Sequence, residues 1–427
     1  MMSKPADTHS YYRATVNDIA DYPCLRGDIA ADVCVIGGGV AGCATALFLA
    51  QRGFRVVLLE AADIGFGASG RSGGQLLPGY SSGQEPLKTQ LGTVGAQQLW
   101  DLSVAAVQLS VDLIRQHHID CDLQFGHLDA AIKRRQLAEL KRYQAELEND
   151  YRYENLRLLE RQELSDWLAT DRYCGALYDS ASAHLHPLNY TLGLARAAAS
   201  AGAQIFQHTP ATAIGGEQNL RITTAQGAVT AKYAVLCCNA YIGNLIKQLE
   251  QRIMPVGTYI IATEVLGDER IRALMPNNVA VADTNFILDY FRRSADHRLL
   301  FGGRVSYSGR DFLNTSAATR KRMLEVFPQL ADVRVEYSWG GMLDITLNRA
   351  PDFGRTQHNI YYLQGFSGHG MALAGMAGKL VADAVAGQAE RFDVFTRLKH
   401  RPFPGGPALR TPALVLAMLW YRLRDLI

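Results

Sequence analysis

The 427 residues contain no CxxC pair, no block of like charge and no apolar run long enough to cross a bilayer. Each absence excludes a class. Seven cysteines (Cys24, Cys34, Cys43, Cys121, Cys174, Cys237, Cys238) are odd in number and several sit inside apolar runs. They read as reduced thiols, with neither a disulfide framework nor a metal site. A net charge of +2, with both signs mixed along the chain, supplies no field for a nucleic-acid backbone. The longest apolar stretch, Ala413–Tyr421, is about half the ~20 residues that a spanning helix needs. It reads as a terminal helix docked on the body or on a partner chain, with attachment to a membrane surface as the alternative; a homodimer is one expectation. No positively charged segment followed by an apolar one opens the chain, so the expected location is cytoplasmic.

What is present is a globular composition, 48% hydrophobic and 20% charged, with ample material for a core. "ADVCVI" (31–36) reads as a buried strand, "VAGCATALFLAQRG" as a helix packed by small residues, and "FRVVLLE" as a second buried strand. Gly37, Gly39 and Gly42 form G-x-G-x-x-G inside this βαβ unit, and Glu60 ends its second strand 18 residues after Gly42. Such glycines allow a tight turn, close approach of a diphosphate and close helix–strand packing, and a terminal acid can accept from ribose hydroxyls. The unit predicts a dinucleotide site without saying which dinucleotide, although the small residues of its helix tilt toward FAD.

Further along, Ala96–His118 shows helical spacing and Arg134–Asp150 a charged helix. "NYTLGLARAAASAG", "AQIFQH" and "AKYAVLCCNAY" return to α/β. Ile253–Met342 carries short β runs that suggest an antiparallel sheet, and "NIYYLQGFSGHGMALAGMAGKLVADAV" is again strand, glycine loop and helix. The chain thus crosses twice between two discontinuous domains. One stretch, "GFGASGRSGGQLLPGY" (65–80), holds six glycines, too loose for a core and long for a simple turn.

Through "IGGGVAGCATALFLAQRGFRVVLLEAADIGFGASGRSGGQ" the chain resembles the D-amino-acid oxidase-like family of FAD oxidoreductases, which includes glycine, sarcosine and D-amino acid oxidases. "YDSASAHLHPLNYTLG", "AKYAVLCCNAYIG", "LDYFRRSADHRLLFGGRV", "NIYYLQGFSGHG", "ERFDVF" and "PFPGG" extend the resemblance from Tyr11 to about Gly406, toward a bacterial subgroup oxidising gamma-glutamylputrescine. Ser72 and Arg304 depart from the subgroup, which carries Asn and Gly there.

The resemblance implies α/β plus α+β architecture: an FAD-binding Rossmann-like domain of glutathione-reductase type (27–82, 180–245, 350–395), an interleaved antiparallel-sheet substrate domain (83–179, 246–349) and a tail (396–427). It implies FAD contacts from Gly37, Gly39, Val40, Ala41, Gly42, Glu60 and Ala61. The glycine-rich loop would add Ala68, Ser69, Arg71, Ser72, Gly73, Gly74 and Gln75, running beside the isoalloxazine ring. Ala211, Asn239, Gly340, Gly365, Phe366, Ser367, Gly368, His369 and Gly370 complete the expected set, with the last helix aimed at the pyrimidine end of the flavin. No cysteine follows Cys238, so the FAD is expected to be noncovalent.

The implied reaction is oxidation of a small primary amine, with O2 as acceptor. His369, Tyr290 and Arg304 are the catalytic candidates, although His369 equally suits a helix cap. Arg292, Arg293, Arg304 and Arg349 are candidates for a substrate carboxylate, Tyr290, Phe291 and Trp339 for pocket walls, and His184 or His186 for a ring neighbour. Each also has a plain structural reading. Alternatives are an oxidase of sarcosine, glycine or a D-amino acid, or a flavin module passing electrons to a partner or quinone.

Overall fold

The structure, a computed structural model, describes residues 10–306, 312–357 and 359–405, and at 304–306 and 312–314 the backbone alone. The apolar stretch Ala413–Tyr421 and the Arg304 side chain, both singled out above, therefore lie outside the described residues.

Strand β1 (Gly27–Ile36) runs from an exposed start to four consecutive buried residues, as a central parallel strand must. Helix α1 (Val40–Gln51) follows, buried from Val40 to Ala50 on every side, and leads to β2 (Val56–Leu59). Helix α2 (Glu85–Gln116) breaks its regular backbone at Gly92. Next come β3 (Gln124–Ala131), β4 (Gly175–His184), α3 (Pro187–Ser200) and β5 (Gly227–Leu236). The strands β6 (Ile253–Thr263), β7 (Ala280–Asp283), β8 (Tyr290–Arg293), β9 (Leu299–Ser306) and β10 (Val335–Thr346) form a continuous block. The chain closes with β11 (Ile360–Gln364) and α4 (Met371–Val385).

Two sheets result. In one, β11, β5, β1 and β2 lie side by side in parallel, extended by Gln204–Phe206 beyond β2 and by the antiparallel Asp352–Gln357 beyond β11. In the other the order is β10, β6, β9, β8, β7, β3, β4, Gln75–Leu76, all antiparallel except the β7–β3 pair. The α/β plus antiparallel architecture expected above is present.

The stretch 83–179 divides differently from the sequence reading. Leu87, Leu99, Leu102, Ala106 and Leu113 of α2 join the core built from α1, α3 and α4, so this helix belongs with the parallel sheet's helical layer. Gly378 explains how α4 and α1 pack so tightly: a Cβ there would lie 2.7 Å from the Thr45 nitrogen. Among the described residues, no helix is long and apolar enough to cross a membrane, and all seven cysteines are free.

Candidate active site

The glycine motif at the end of β1 is dictated by backbone crowding. Gly37 has φ +111° and its Cβ would sit 2.4 Å from the Cys237 carbonyl oxygen, while a Cβ on Gly42 would sit 1.8 Å from the Gly37 oxygen. These two glycines let strand and helix meet. Gly39 is different, because it opens onto a cavity and a Cβ there would come 2.6 Å from Ser69 Oγ. The N-terminus of α1 is thus an open cradle: Val40 N–H donates to Ser69 Oγ at 3.0 Å, and no side chain of the helix itself caps it. A diphosphate fits this helix N-terminus with the Ser69 hydroxyl beside it.

Glu60 accepts from the N–H groups of Gly38 (2.6 Å) and Ala62 (2.8 Å). Burial pushes its carboxyl up while these donors pull it back. Two oxygens with about four lone-pair sites leave room for ribose hydroxyls as well.

The cavity, roughly 570 Å³, lies between the two sheets. Of the expected residues, Gly39, Val40, Ala41, Ala68, Ser69, Ser72, Gly73, Gly74 and Gln75 border it from the nucleotide side. Asn239, Phe366, Ser367, Gly368, His369 and Gly370 border it from the far loops, and Tyr290 from the antiparallel sheet. Gly37, Gly42, Glu60, Ala61, Arg71, Ala211, Gly340 and Gly365 do not line it.

Arg71 is the main correction. Its guanidinium turns away from the cavity, with Nε donating to Phe66 O (2.7 Å) and Nη1 to Gly340 O (3.2 Å), and it stacks on the Phe66 ring. The Arg71 carbonyl accepts from Trp339 Nε1 at 3.0 Å. Arg71, Gly340 and Trp339 therefore tie the glycine loop to β10, and neither Gly340 nor Trp339 faces the site. Phe291 is also core, stacked parallel on Phe301 on the opposite face of the sheet.

The arginines separate cleanly. Arg292 donates to the carbonyls of Gly73 (2.8 Å), Leu185 (2.9 Å) and Arg293 (3.1 Å), and Arg293 to that of Met275 (3.0 Å). Both are structural pins. Arg349 borders the cavity, donating to Ser81 Oγ at 3.0 Å and lying over the Phe286 ring at 5.0 Å. Its backbone adopts φ +59°, a strained value that favours neither Arg nor any β-carbon.

His184 and His186 follow their structural reading. His186 Nδ1 accepts from the Asn189 N–H (3.1 Å) to cap α3, and burial holds its pKa down to about 3. His184 bonds the Asn278 carbonyl at 3.1 Å, and neither lines the cavity. His369 does line it. Its Nε2 lies 3.0 Å from Pro78 O, and since a carbonyl only accepts, Nε2 carries the hydrogen and Nδ1 is the acceptor. Burial is the first cause lowering its pKa, so the ring stays neutral.

Tyr290 is clamped. A Cβ on Gly302 would lie 2.3 Å from its ring and one on Gly73 3.0 Å, so two glycines of separate elements make the space it fills.

The sequence reading missed Asp129, Asp344 and the apolar wall of Met254, Val256, Phe286, Leu288 and Leu343, all of which line the cavity. Asp344 is buried, accepts from Asn239 Nδ2 (3.0 Å) and from the Gly365 N–H, and its pKa is pushed up to about 7 chiefly by burial. It locks the turn after β5 to the glycine loop before α4. A lone carboxylate in the apolar run "GGMLDITL" was the available signal.

The chain is 42% identical over 98% of its length, and 98% of the relative's, to gamma-glutamylputrescine oxidoreductase of Escherichia coli. It is 40% identical to a probable oxidoreductase, OrdL, of Haemophilus influenzae, covering 97% of both chains. The crystal structure of glycine oxidase from Geobacillus kaustophilus superposes with a TM-score of 0.74 at 22% identity, covering 87% of this chain and 99% of that one. Residues 32–384 match the family described as FAD dependent oxidoreductase, DAO, and the chain belongs to that family of FAD-dependent enzymes.

Proposed function

We propose that the chain oxidises the primary amine of gamma-glutamylputrescine, or of a close gamma-glutamylated polyamine, to the aldehyde with release of ammonia, and that O2 takes the electrons as H2O2. The observation that carries this reading is one cavity lined by glycine loops and a helix N-terminus, by aliphatic and aromatic residues, and by Arg349, which lies over the Phe286 ring. An aliphatic amine with a carboxylate matches that set of surfaces. The 42% identity to an oxidoreductase named for gamma-glutamylputrescine supports the same choice.

In this reading the α1 N-terminus, Ser69 and Glu60 hold the diphosphate and ribose, and the stretches 68–75 and 365–370 hold the flavin, noncovalently. Bound FAD supplies the acceptor for a hydride equivalent from the carbon bearing the amine. The chain's own residues do the rest. Tyr290 and the apolar wall exclude water and align the aliphatic chain. Neutral His369, fixed by Pro78, borders the cavity without adding a cation that would repel an ammonium. Arg349 and Ser81 take the distal carboxylate. The enzyme works in the cytoplasm, and a homodimer is the expected assembly.

The test is aerobic product analysis with gamma-glutamylputrescine, putrescine, sarcosine and D-alanine. Equal amounts of aldehyde, ammonia and H2O2 from the first substrate, with far less from the others, are expected. Turnover confined to sarcosine or D-alanine, or reduction without peroxide, would reassign the enzyme.

A further inference from the structure

We propose that Asp129 receives the substrate's ammonium in this cavity and takes its proton before the C–H bond breaks. This deepens the amine-oxidation reading above and rests on it.

The strand register brings Asp129 to the cavity. Asp129 pairs with Ala282, and Ala282 with Tyr290, so the three form one row across β3, β7 and β8 on the same face. Two strand spacings separate Asp129 from Tyr290, about 10 Å, with only a methyl group between them. A small amine fits that gap.

Three carboxylates border the cavity, and two are engaged. Asp344 holds Asn239 and Gly365, and Asp283 accepts from the Asn285 N–H at 3.1 Å while sharing its strand face with the core residue Val281. The Asp129 side chain accepts no hydrogen bond among the described residues. His127 Nδ1 lies 3.9 Å from it, and the side chain is 42% exposed and borders the cavity.

Other titratable groups face it from each packed element: Asp179 on β4, Tyr143 on the helix Arg134–Tyr151, and His369 from the loop before α4. Asp179 is already held by Tyr153 Oη (2.9 Å) and Ser182 Oγ (2.6 Å). Burial and Asp179 push the Asp129 pKa up to about 7, against the pull of His369. A carboxylate in that range is ionised enough to pair with a cation and basic enough to accept its proton.

An ammonium entering an apolar cavity needs a countercharge, or desolvation expels it. Oxidation further requires the nitrogen lone pair. An N–H bond breaks and an O–H bond forms on Asp129, leaving neutral amine. The C–H electron pair would then leave with its hydrogen to the flavin that the 68–75 and 365–370 stretches would hold, and water would convert the resulting iminium to aldehyde and ammonium.

The experiment compares wild type, Asp129→Asn and Asp129→Glu as FAD-loaded proteins. Binding of gamma-glutamylputrescine (anaerobic) and of the analogue with a hydroxyl replacing the reactive amine is titrated, and the flavin reduction rate is followed from pH 6 to 9. Wild type is expected to prefer the amine. Asp129→Asn should lose about 100-fold in reduction efficiency with the amine, bind the alcohol analogue unchanged, and lose the fall in rate below about pH 7 expected of wild type. Glu should recover most of the preference. An Asn variant that keeps the amine preference and the acid limb, or a Glu variant as poor as Asn, overturns the assignment. If wild type prefers the amine in binding but is never reduced by it, the function proposed above fails while the ammonium site stands.

Discussion

The two walls of the cavity are built on opposite plans. On the nucleotide side the wall is built from backbone: Gly39, Gly73 and Gly74 border the cavity, and behind them Gly37 and Gly42 let strand and helix approach to distances no β-carbon permits. On the antiparallel side the wall is built from side chains of separate elements, with Asp129 from β3, Tyr290 from β8, Met254 and Val256 from β6, Leu343 from β10, and Phe286 and Leu288 from the loop between β7 and β8. A backbone site tolerates almost no substitution. A side-chain site can be retuned one residue at a time, which is how one family can hold a common cofactor and oxidise different amines.

Gly39→Val attacks the first wall and should have the largest effect. A side chain there fills the cradle beside Ser69, so the purified protein should be folded but colourless, with no releasable FAD. Normal FAD content would remove the cradle from the account. Arg349→Ala attacks the second wall. The FAD content should be unchanged, while KM for gamma-glutamylputrescine rises about 10- to 100-fold, the worth of a charge-assisted hydrogen bond, and activity with putrescine stays level. Equal losses on both substrates would show that Arg349 does not read the carboxylate.

Gly302→Ala probes the seam between the walls. Its methyl would overlap the Tyr290 ring, and overpacking of ~1–3 kcal/mol should move the ring and slow flavin reduction by about tenfold with FAD retained. A crystal structure of the variant with Tyr290 unmoved would refute the clamp.

His186→Ala is the smallest test of function and a test of stability alone. His186 is neutral when folded, its pKa held near 3, so the unfolded chain takes up a proton that the folded one refuses between about pH 6.5 and 3. Its contribution is therefore complete above the unfolded pKa and is lost as pH falls. Urea unfolding of the variant should show lower stability at neutral pH and a shallower decline below pH 6.5, by up to about 1.4 kcal/mol per pH unit, with unchanged reduction rate. A reduction rate that falls with His186→Ala would return this residue to the site.

What could be read from sequence follows the same division. Glycines required by close approach sit at fixed spacings in one segment, so the β1 turn, the loop at 65–80 and the loop before α4 were all legible. So was the antiparallel sheet. Asp129 was not, because nothing in "GHLDAA" distinguishes a carboxylate facing a cavity from one facing solvent until β7 and β8 are laid beside it. Arg71 misled for a related reason: a cation in a glycine loop suggests a phosphate, yet two carbonyls from Phe66 and Gly340 claim it. The apolar face of helix α2 does not name the partner that covers it, so its packing against α4 was not legible.

The most direct measurement is the visible spectrum of the purified protein under anaerobic conditions, before and after gamma-glutamylputrescine, with putrescine, sarcosine and D-alanine as parallel additions. A flavin band near ~450 nm that bleaches rapidly with gamma-glutamylputrescine alone and returns on admitting air is the expected result, since only amine oxidation delivers electrons to the cofactor. A band that persists with gamma-glutamylputrescine and bleaches with another amine would contradict the substrate side of the account while leaving its cofactor side intact.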